Sequence, residues 1–561
     1  VRPGNKLVDA HSSIGCPNVI QVQVIFDPWE PQDHERYAEL MCDELPNRIS
    51  TGVSAHDPWT VDTTTGAVRG HQITGAVAFR GVPYARPPVG ELRFRRARPR
   101  DPWRGVLLAD RPGDYCAQWR NRTIGWTGSE NCLWLNVVVP RPDGRSPVID
   151  TGANRPVVVY LHGGSNIHGS AAEPLLSGEH FAAATDAVYV AVNYRVGIFG
   201  QLALGFADDL DPGRFDSNTG LSDIITAVEW VHDNAEAFGG DPHRITVMGE
   251  SSGGAMVTAL SAVPRMKNLV HGFIAQSPAA AMVHTPDGAR RAADMALEIL
   301  RSDDDGKKPR PEGTGKDLLT ASPEGLAWLT ERTNDAAWGR CGIAGGFAPV
   351  IDDLLPAHPL TPGAQLDIPL LIGTNLDEYV LMRWAYPSAR AFATEARDFA
   401  ESIDPDRAPR VLAELYGDGR RRADAGRFLG DALFTAPAVR MASQHPTGRT
   451  WMYRLDLSTP AYDLAGIGAT HALDLPVLFG RYDSGRGPGA LALGGRQRMA
   501  ATTAVMQDRW KRFIHDADPG WERYPVGLAT QLFDAGERTV TDPDPQLREA
   551  WAPVNLTGFP R

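Results

Sequence analysis

The stretch that decides the fold is Ile245-Thr246-Val247-Met248-Gly249-Glu250-Ser251-Ser252-Gly253, followed by a helix-compatible run from Gly254 to Ala262. A short β-rich segment leads into G-x-S-x-G, with Ser251 at its centre. A serine on a strained strand-to-helix turn needs glycine neighbours, because Cβ atoms on either side would collide. Such a turn lifts the hydroxyl to the C-terminal edge of a sheet and sets it at a helix N-terminus. The plain alternative is an ordinary Gly/Ser-rich turn, and the strand before it and the helix after it weigh against that.

Working outward, Pro156 to Leu161, Ala187 to Asn193, Gly272 to Gln276 and Pro369 to Gly373 are further short apolar runs. Continuous apolar runs of this length suit strands buried on both faces of a mostly parallel sheet. Leu221 to Phe238 carries Ile224, Ile225, Val228 and Val231 at helical spacing. Alternation of this kind predicts an α/β fold, a large mostly parallel central sheet flanked by helices. Asp303 to Lys316 and Ser484 to Gln497, rich in Gly, Pro or charge, read as exposed loops. Residues 1–60 read separately, as an extension with a strand at Val19 to Phe26, a helix at His34 to Leu45 and a linker at Ser50 to Trp59; residues 61–561 form the catalytic domain.

Composition narrows the function. The 561 residues hold 56 Lys plus Arg against 68 Asp plus Glu, a formal charge of −12. Phosphate contacts need clustered positive charge, so a nucleic-acid partner is not expected. No stretch reaches the length of a membrane span, and the N-terminus lacks the apolar core of a signal peptide. The expectation is a soluble protein, cytoplasmic or secreted with its signal already removed. Five cysteines, none in CxxC pairs, make zinc unlooked-for, and no cofactor is expected.

Upstream of the serine, His162-Gly163-Gly164-Ser165 ends the Pro156 to Leu161 run. Acyl transfer needs backbone N–H donors aimed at a developing oxyanion, and small residues allow that close approach. A serine nucleophile also needs a base and a carboxylate, in the order Ser, Asp/Glu, His for this architecture. Asp377-Glu378 follows a strand end and His471 lies further on, but spacing alone chooses neither between the two acids nor among the 15 histidines.

Beyond these motifs the chain resembles a type B carboxylesterase, of the cholinesterase-like branch of the α/β-hydrolases, from about Val61 to Pro525. The resemblance is carried by Phe79-Arg80-Gly81-Val82-Pro83-Tyr84-Ala85, Ser129-Glu130-Asn131-Cys132-Leu133-Trp134-Leu135-Asn136, Asn193-Tyr194-Arg195-Val196-Gly197, Asn218-Thr219-Gly220-Leu221-Ser222-Asp223, Phe238-Gly239-Gly240-Asp241-Pro242 and Pro349-Val350-Ile351-Asp352. Asn131 and Trp134 stand where the family usually has Asp and Tyr.

The resemblance implies serine-dependent hydrolysis of small carboxylic esters through an acyl-enzyme. By similarity the nucleophile is Ser251, the acid Glu378 and the base His471, with oxyanion donors on the backbone of Gly164, Ser165 and Ser252. It also implies a disulfide between Cys116 and Cys132, and buried ion pairs of Arg93 with Glu130 and Arg195 with Asp223. Glu250 reads as a buried structural carboxylate. Ser165, Asn166 and His168 replace a more apolar stretch, so Asn166 and His168 are expected to line the substrate pocket and favour a polar substrate. Two other readings use the same residues: a carbamate or amide hydrolase, and a catalytically silent binding module, which would have lost part of the triad.

Overall fold

The apolar run ending at Leu161 lies at the middle of an eleven-stranded sheet in the computed structural model, which describes residues 45–558 apart from 53–56, 122–124, 142–147, 303–309, 312, 339 and 447. In chain order its strands are β1 (His71–Ile73), β2 (Ala76–Pro83), β3 (Trp134–Pro140), β4 (Arg155–Leu161), β5 (Val188–Val192), β6 (Gly240–Glu250), β7 (Gly272–Gln276), β8 (Leu370–Asn375), β9 (Thr450–Leu455), β10 (Ala529–Phe533) and β11 (Glu537–Thr541). They lie in the order β11-β10-β9-β8-β7-β6-β4-β5-β3-β2-β1. The run from β10 to β5 is parallel, and antiparallel strands close both edges. Every residue of β5, β7, β8 and β10 is buried, as strands covered on both faces require.

Two extensive clusters of buried apolar side chains pack on the sheet. One contains Val157, Val159 and Leu161 of β4, and the other Val158 and Tyr160. Alternate residues of one strand thus enter separate cores, because successive side chains point to opposite faces. Helix α1 (Thr219–Asn234) has Ile224, Ile225, Val228 and Val231 buried, and a 3₁₀ turn over Ala235–Phe238 completes the expected helical stretch.

Three expectations need correction. Leu45 is buried, Arg48 donates to the carbonyls of Arg80 (2.8 Å) and Arg111 (2.6 Å), and Ile49–Ser50 pairs with Val106 and Leu107. The chain is therefore integrated before residue 60, and one unit runs from Asp43 onward. The segment Ser484 to Gln497 holds a helical turn, Gly487–Ala490, with Ala490 fully buried, and the start of the helix Arg496–Asp516. An apolar contact there overrides the turn-rich composition.

Third, Cys116 and Cys132 are free, buried thiols rather than a disulfide. Burial and then the neighbouring Cys116 push the Cys132 thiol upward, and the Val196 amide donates to Cys116 Sγ at 3.5 Å. Backbone bonds fasten the segment instead: Ser129 N–H to Tyr115 O at 2.8 Å and Ala117 N–H to Ser129 O at 3.0 Å.

The expected strand at Val19 to Phe26, most of the helix at His34 to Leu45, Cys16 and Cys42, and much of the Asp303 to Lys316 loop lie outside the described residues. Among the described residues, no helix is long and apolar enough to cross a membrane.

Candidate active site

Ser251 sits between β6 and helix α2 (Ser252–Leu260), with φ 57° and ψ −123°. A non-glycine residue rarely adopts that conformation, so its surroundings must hold it there. Its amide donates to Gln276 O at 2.9 Å, and the flanking glycines are sterically required. A Cβ on Gly253 would lie 2.2 Å from Leu161 O, and one on Gly249 would lie 2.6 Å from Gly253 C and O. The turn therefore tolerates no side chain two residues before or two residues after the serine.

His471 follows β9 in a loop and Glu378 follows β8. The imidazole Nε2 faces Ser251 Oγ at 2.9 Å, and Nδ1 faces Glu378 Oε2 at 2.6 Å. The His471 amide also donates to Glu378 O at 3.1 Å, which ties the two loops together. The other Glu378 oxygen accepts from Ser277 Oγ at 2.6 Å and from the Asn375 amide at 2.7 Å. The carboxylate is thus held at both oxygens, and the imidazole is aligned between it and the serine.

Three further groups surround the imidazole, of which the sequence reading named only Glu250, as a buried structural carboxylate. Glu250 Oε1 lies 3.3 Å from His471 Nε2, and the Glu250 side chain is 4% exposed. Asp474, fully buried, accepts from Gln276 Nε2 at 2.6 Å and from Asn375 Nδ2 at 3.3 Å. The Phe434 ring stacks on the imidazole with centroids 4.5 Å apart and 28° between planes. Asp474 could have been suspected from its place three residues after His471. Nothing in the local sequence marks Phe434.

These groups titrate together. Burial raises the Glu250 carboxyl to about 8, opposed by His471 and assisted by Asp474 and Glu378. Burial also disfavours the imidazolium, yet the Glu250 and Glu378 carboxylates outweigh it and raise His471 to about 9. Asp474 rises to about 6, through burial and then the charge of Glu378. The imidazolium gains most when Glu250 is ionised, and Glu250 ionises most readily beside an imidazolium.

The loop after β4 approaches closely. A Cβ on Gly163 would lie 2.7 Å from Glu250 Oε2, and one on Gly164 would lie 2.3 Å from His168 O. Gly164 (φ 128°), Ser165 (φ 56°) and Asn166 (φ 61°) turn the chain so that the amides of Ile167 (3.1 Å) and His168 (2.9 Å) both reach Gly164 O. Among the described residues, the amides of Gly164, Ser165 and Ser252 donate to no other group.

Asn166 and His168, the two residues expected at the pocket, are placed differently from each other. Asn166 is fully buried, its Nδ2 donates to Phe347 O at 3.0 Å, and it does not line the adjoining cavity. His168 does line that cavity, but its Nε2 meets Glu331 Oε1 at 2.9 Å. The cavity, about 480 Å³, is lined by Gly163, Gly164, Glu250, Leu175, Leu176 and Leu475 among others, and among the described residues no lysine or arginine lines it.

Both expected ion pairs form away from the serine. Arg195 Nε and Nη2 grip the Asp223 carboxylate at 2.8 and 2.7 Å, and Arg93 Nε meets Glu130 Oε2 at 2.8 Å.

Comparison with known proteins shows the family and the fold. A model of the carboxylesterase family matches residues 57–526. The chain is 32% identical over 521 residues to a para-nitrobenzyl esterase of Bacillus subtilis, covering 88% of this chain and 98% of that protein. It is also 32% identical over 494 residues to a phenmedipham hydrolase of Pseudarthrobacter oxydans, covering 86% and 94%. A solved PNB esterase structure superposes with a TM-score of 0.73 at 30% identity, over 88% of this chain and all of that one.

Proposed function

The chain belongs to the carboxylesterase family and is a carboxylic-ester hydrolase, and from that premise we propose that it works through a Ser251-His471-Glu378 triad and an acyl-enzyme. The observation that carries this reading is the bridging imidazole, 2.9 Å from Ser251 Oγ and 2.6 Å from Glu378 Oε2.

Ser251 Oγ attacks the ester carbonyl while His471 Nε2 takes its proton, and Glu378 supports the imidazolium through Nδ1. The carbonyl oxygen, now negative, is received by the amides of Gly164, Ser165 and Ser252, which are placed before charge develops. Collapse of the tetrahedral adduct breaks the ester C–O bond, and His471 returns the proton to the departing alcohol. Water then attacks the acyl-serine with its proton passing to His471, and the acid leaves as Ser251 Oγ regains a proton.

The cavity beside this centre supports esters bearing a compact, largely apolar group without negative charge. Leu175, Leu176, Leu475, Pro174 and Tyr160 supply its apolar surface, and its carboxyl groups are those of Glu173 and Glu250. A para-nitrobenzyl ester is the first substrate to try, following the name of the Bacillus relative.

The experiment is covalent. A fluorophosphonate should label one serine per chain, located at Ser251 by peptide mass spectrometry, with ester turnover lost in proportion. Labelling elsewhere, or turnover that survives complete labelling of Ser251, would end the proposal.

A further inference from the structure

We propose that Phe434 is a positioning residue for His471, its ring held against the imidazole by a π-helical turn built for that purpose. This rests on the triad reading above and deepens it, since Phe434 acts through the base of that triad.

The turn begins with a local conflict. Helix α3 (Arg422–Gly430) runs without a break through a π-helical segment, Asp431–Thr435, into α4 (Ala436–Ser443). The Ala436 amide donates to Asp431 O, five residues back rather than four. The following residue is Pro437, which has no N–H for Leu433 O and whose ring would crowd that carbonyl in a regular helix. Widening by one residue relieves the crowding, and such widened turns often occur at functional sites.

The widened turn has a defined place. A Cβ on Gly430 would lie 3.2 Å from both Glu378 Cβ and Tyr379 N, so the helix rests directly on the segment carrying the acid. Four residues on, Phe434, 6% exposed, lays its ring on the His471 imidazole at 4.5 Å and 28°. One helical element thus presses on both the acid and the base. Its start is anchored from outside, because Tyr416 Oη donates to Asp431 Oδ2 at 2.6 Å and Trp551 Nε1 reaches Tyr416 Oη at 3.5 Å. Trp551 ends helix α5 (Pro545–Trp551).

A nearly parallel ring does two things. It blocks rotation of the imidazole out of the line joining Ser251 and Glu378, and its π-face favours the imidazolium that forms in the reaction. The charged and titratable groups around that imidazole are Glu250 from β6, Glu378 after β8, Asp474 beyond the histidine, and Arg486, whose Nε reaches His471 O at 3.4 Å. Phe434 adds an uncharged face to this set, so its removal alters the imidazole without removing any charge.

The test uses the full chain and 4-nitrophenyl acetate, with rates expressed per active site titrated by a fluorophosphonate. Phe434→Leu should lower kcat about tenfold with KM changed less than about twofold. It should also move the acid limb of kcat/KM downward by roughly half a pH unit. Phe434→Tyr, which keeps the ring face, should restore both. If the leucine variant does not fold, Phe434→Met fills similar space without a ring and carries the same expectation. A kcat per titrated site and an acid limb both matching wild type would overturn the proposal. Failure of the triad reading would show separately, as wild-type protein that turns over ester without labelling at Ser251.

Discussion

Glu250 Oε1 stands 3.3 Å from His471 Nε2, the same nitrogen that faces Ser251 Oγ. A buried carboxyl and the proposed base therefore share one small volume. Turnover needs a neutral imidazole, and with His471 raised to about 9, kcat/KM should climb as pH rises from 6 toward 9. Glu250→Gln removes the largest charge favouring the imidazolium, so the acid limb should move down by roughly one unit. Matched pH–rate profiles check this, and an unmoved limb would show that Glu250 does not control the proton on His471.

Ser251→Ala removes only a hydroxyl at the end of β6, so the fold should persist while turnover falls by at least about a thousandfold. Circular dichroism and ester hydrolysis measured on one preparation separate the two effects. A variant keeping a tenth of wild-type turnover would remove Ser251 as nucleophile.

Arg195 and Asp223 are 2% and 0% exposed and paired through two side-chain hydrogen bonds, with the Arg195 amide as a third donor at 3.0 Å. Breaking such a pair strands a charge in the interior, so Asp223→Ala should destabilise the protein by about 3–5 kcal/mol. Urea midpoints with slopes measure it. A loss under about 1 kcal/mol would mean that water or another group replaces the carboxylate.

His162, His284 and His358 are buried, and burial holds each near 4 rather than 6.5. Their folded pKa values lie below the unfolded one, so their contribution is fully present above about 6.5 and is lost as pH falls toward 4. Each adds up to about 1.4 kcal/mol per pH unit to the slope within that window. His358→Asn keeps an acceptor for the Leu360 amide (3.1 Å in the native protein) while removing the ionisable ring, so its Tm should fall less steeply below pH 6.5. Parallel Tm–pH curves for variant and wild type would contradict the assignment.

The local sequence carried much of the architecture. The apolar runs at Pro156 to Leu161 and Gly272 to Gln276 suited strands buried on two faces and form them, and the glycines around Ser251 suited a turn with no room for Cβ at their positions and form it. The Ser484 to Gln497 segment misled because its composition is that of a loop, whereas the burial of Ala490 depends on distant side chains.

What the sequence by itself determined is therefore five of the sheet's eleven strands, the nucleophile turn and, through family resemblance, the residues to examine beside it. What tertiary structure decided is everything set by approach in space. The imidazole bridges Ser251 and Glu378 across separations of 220 and 93 residues. Glu250 sits against the same nitrogen that faces Ser251, and Phe434 covers the ring's face from a helix turn with no local signature. Asn166 shows the same rule from the other side: a polar residue beside the oxyanion loop turned inward to Phe347 O, because a buried amide takes whatever acceptor the packing brings to it. Strand pattern and turn chemistry depend on neighbours along the chain, but proton position and pocket polarity depend on which groups the fold brings within a few ångströms of one another.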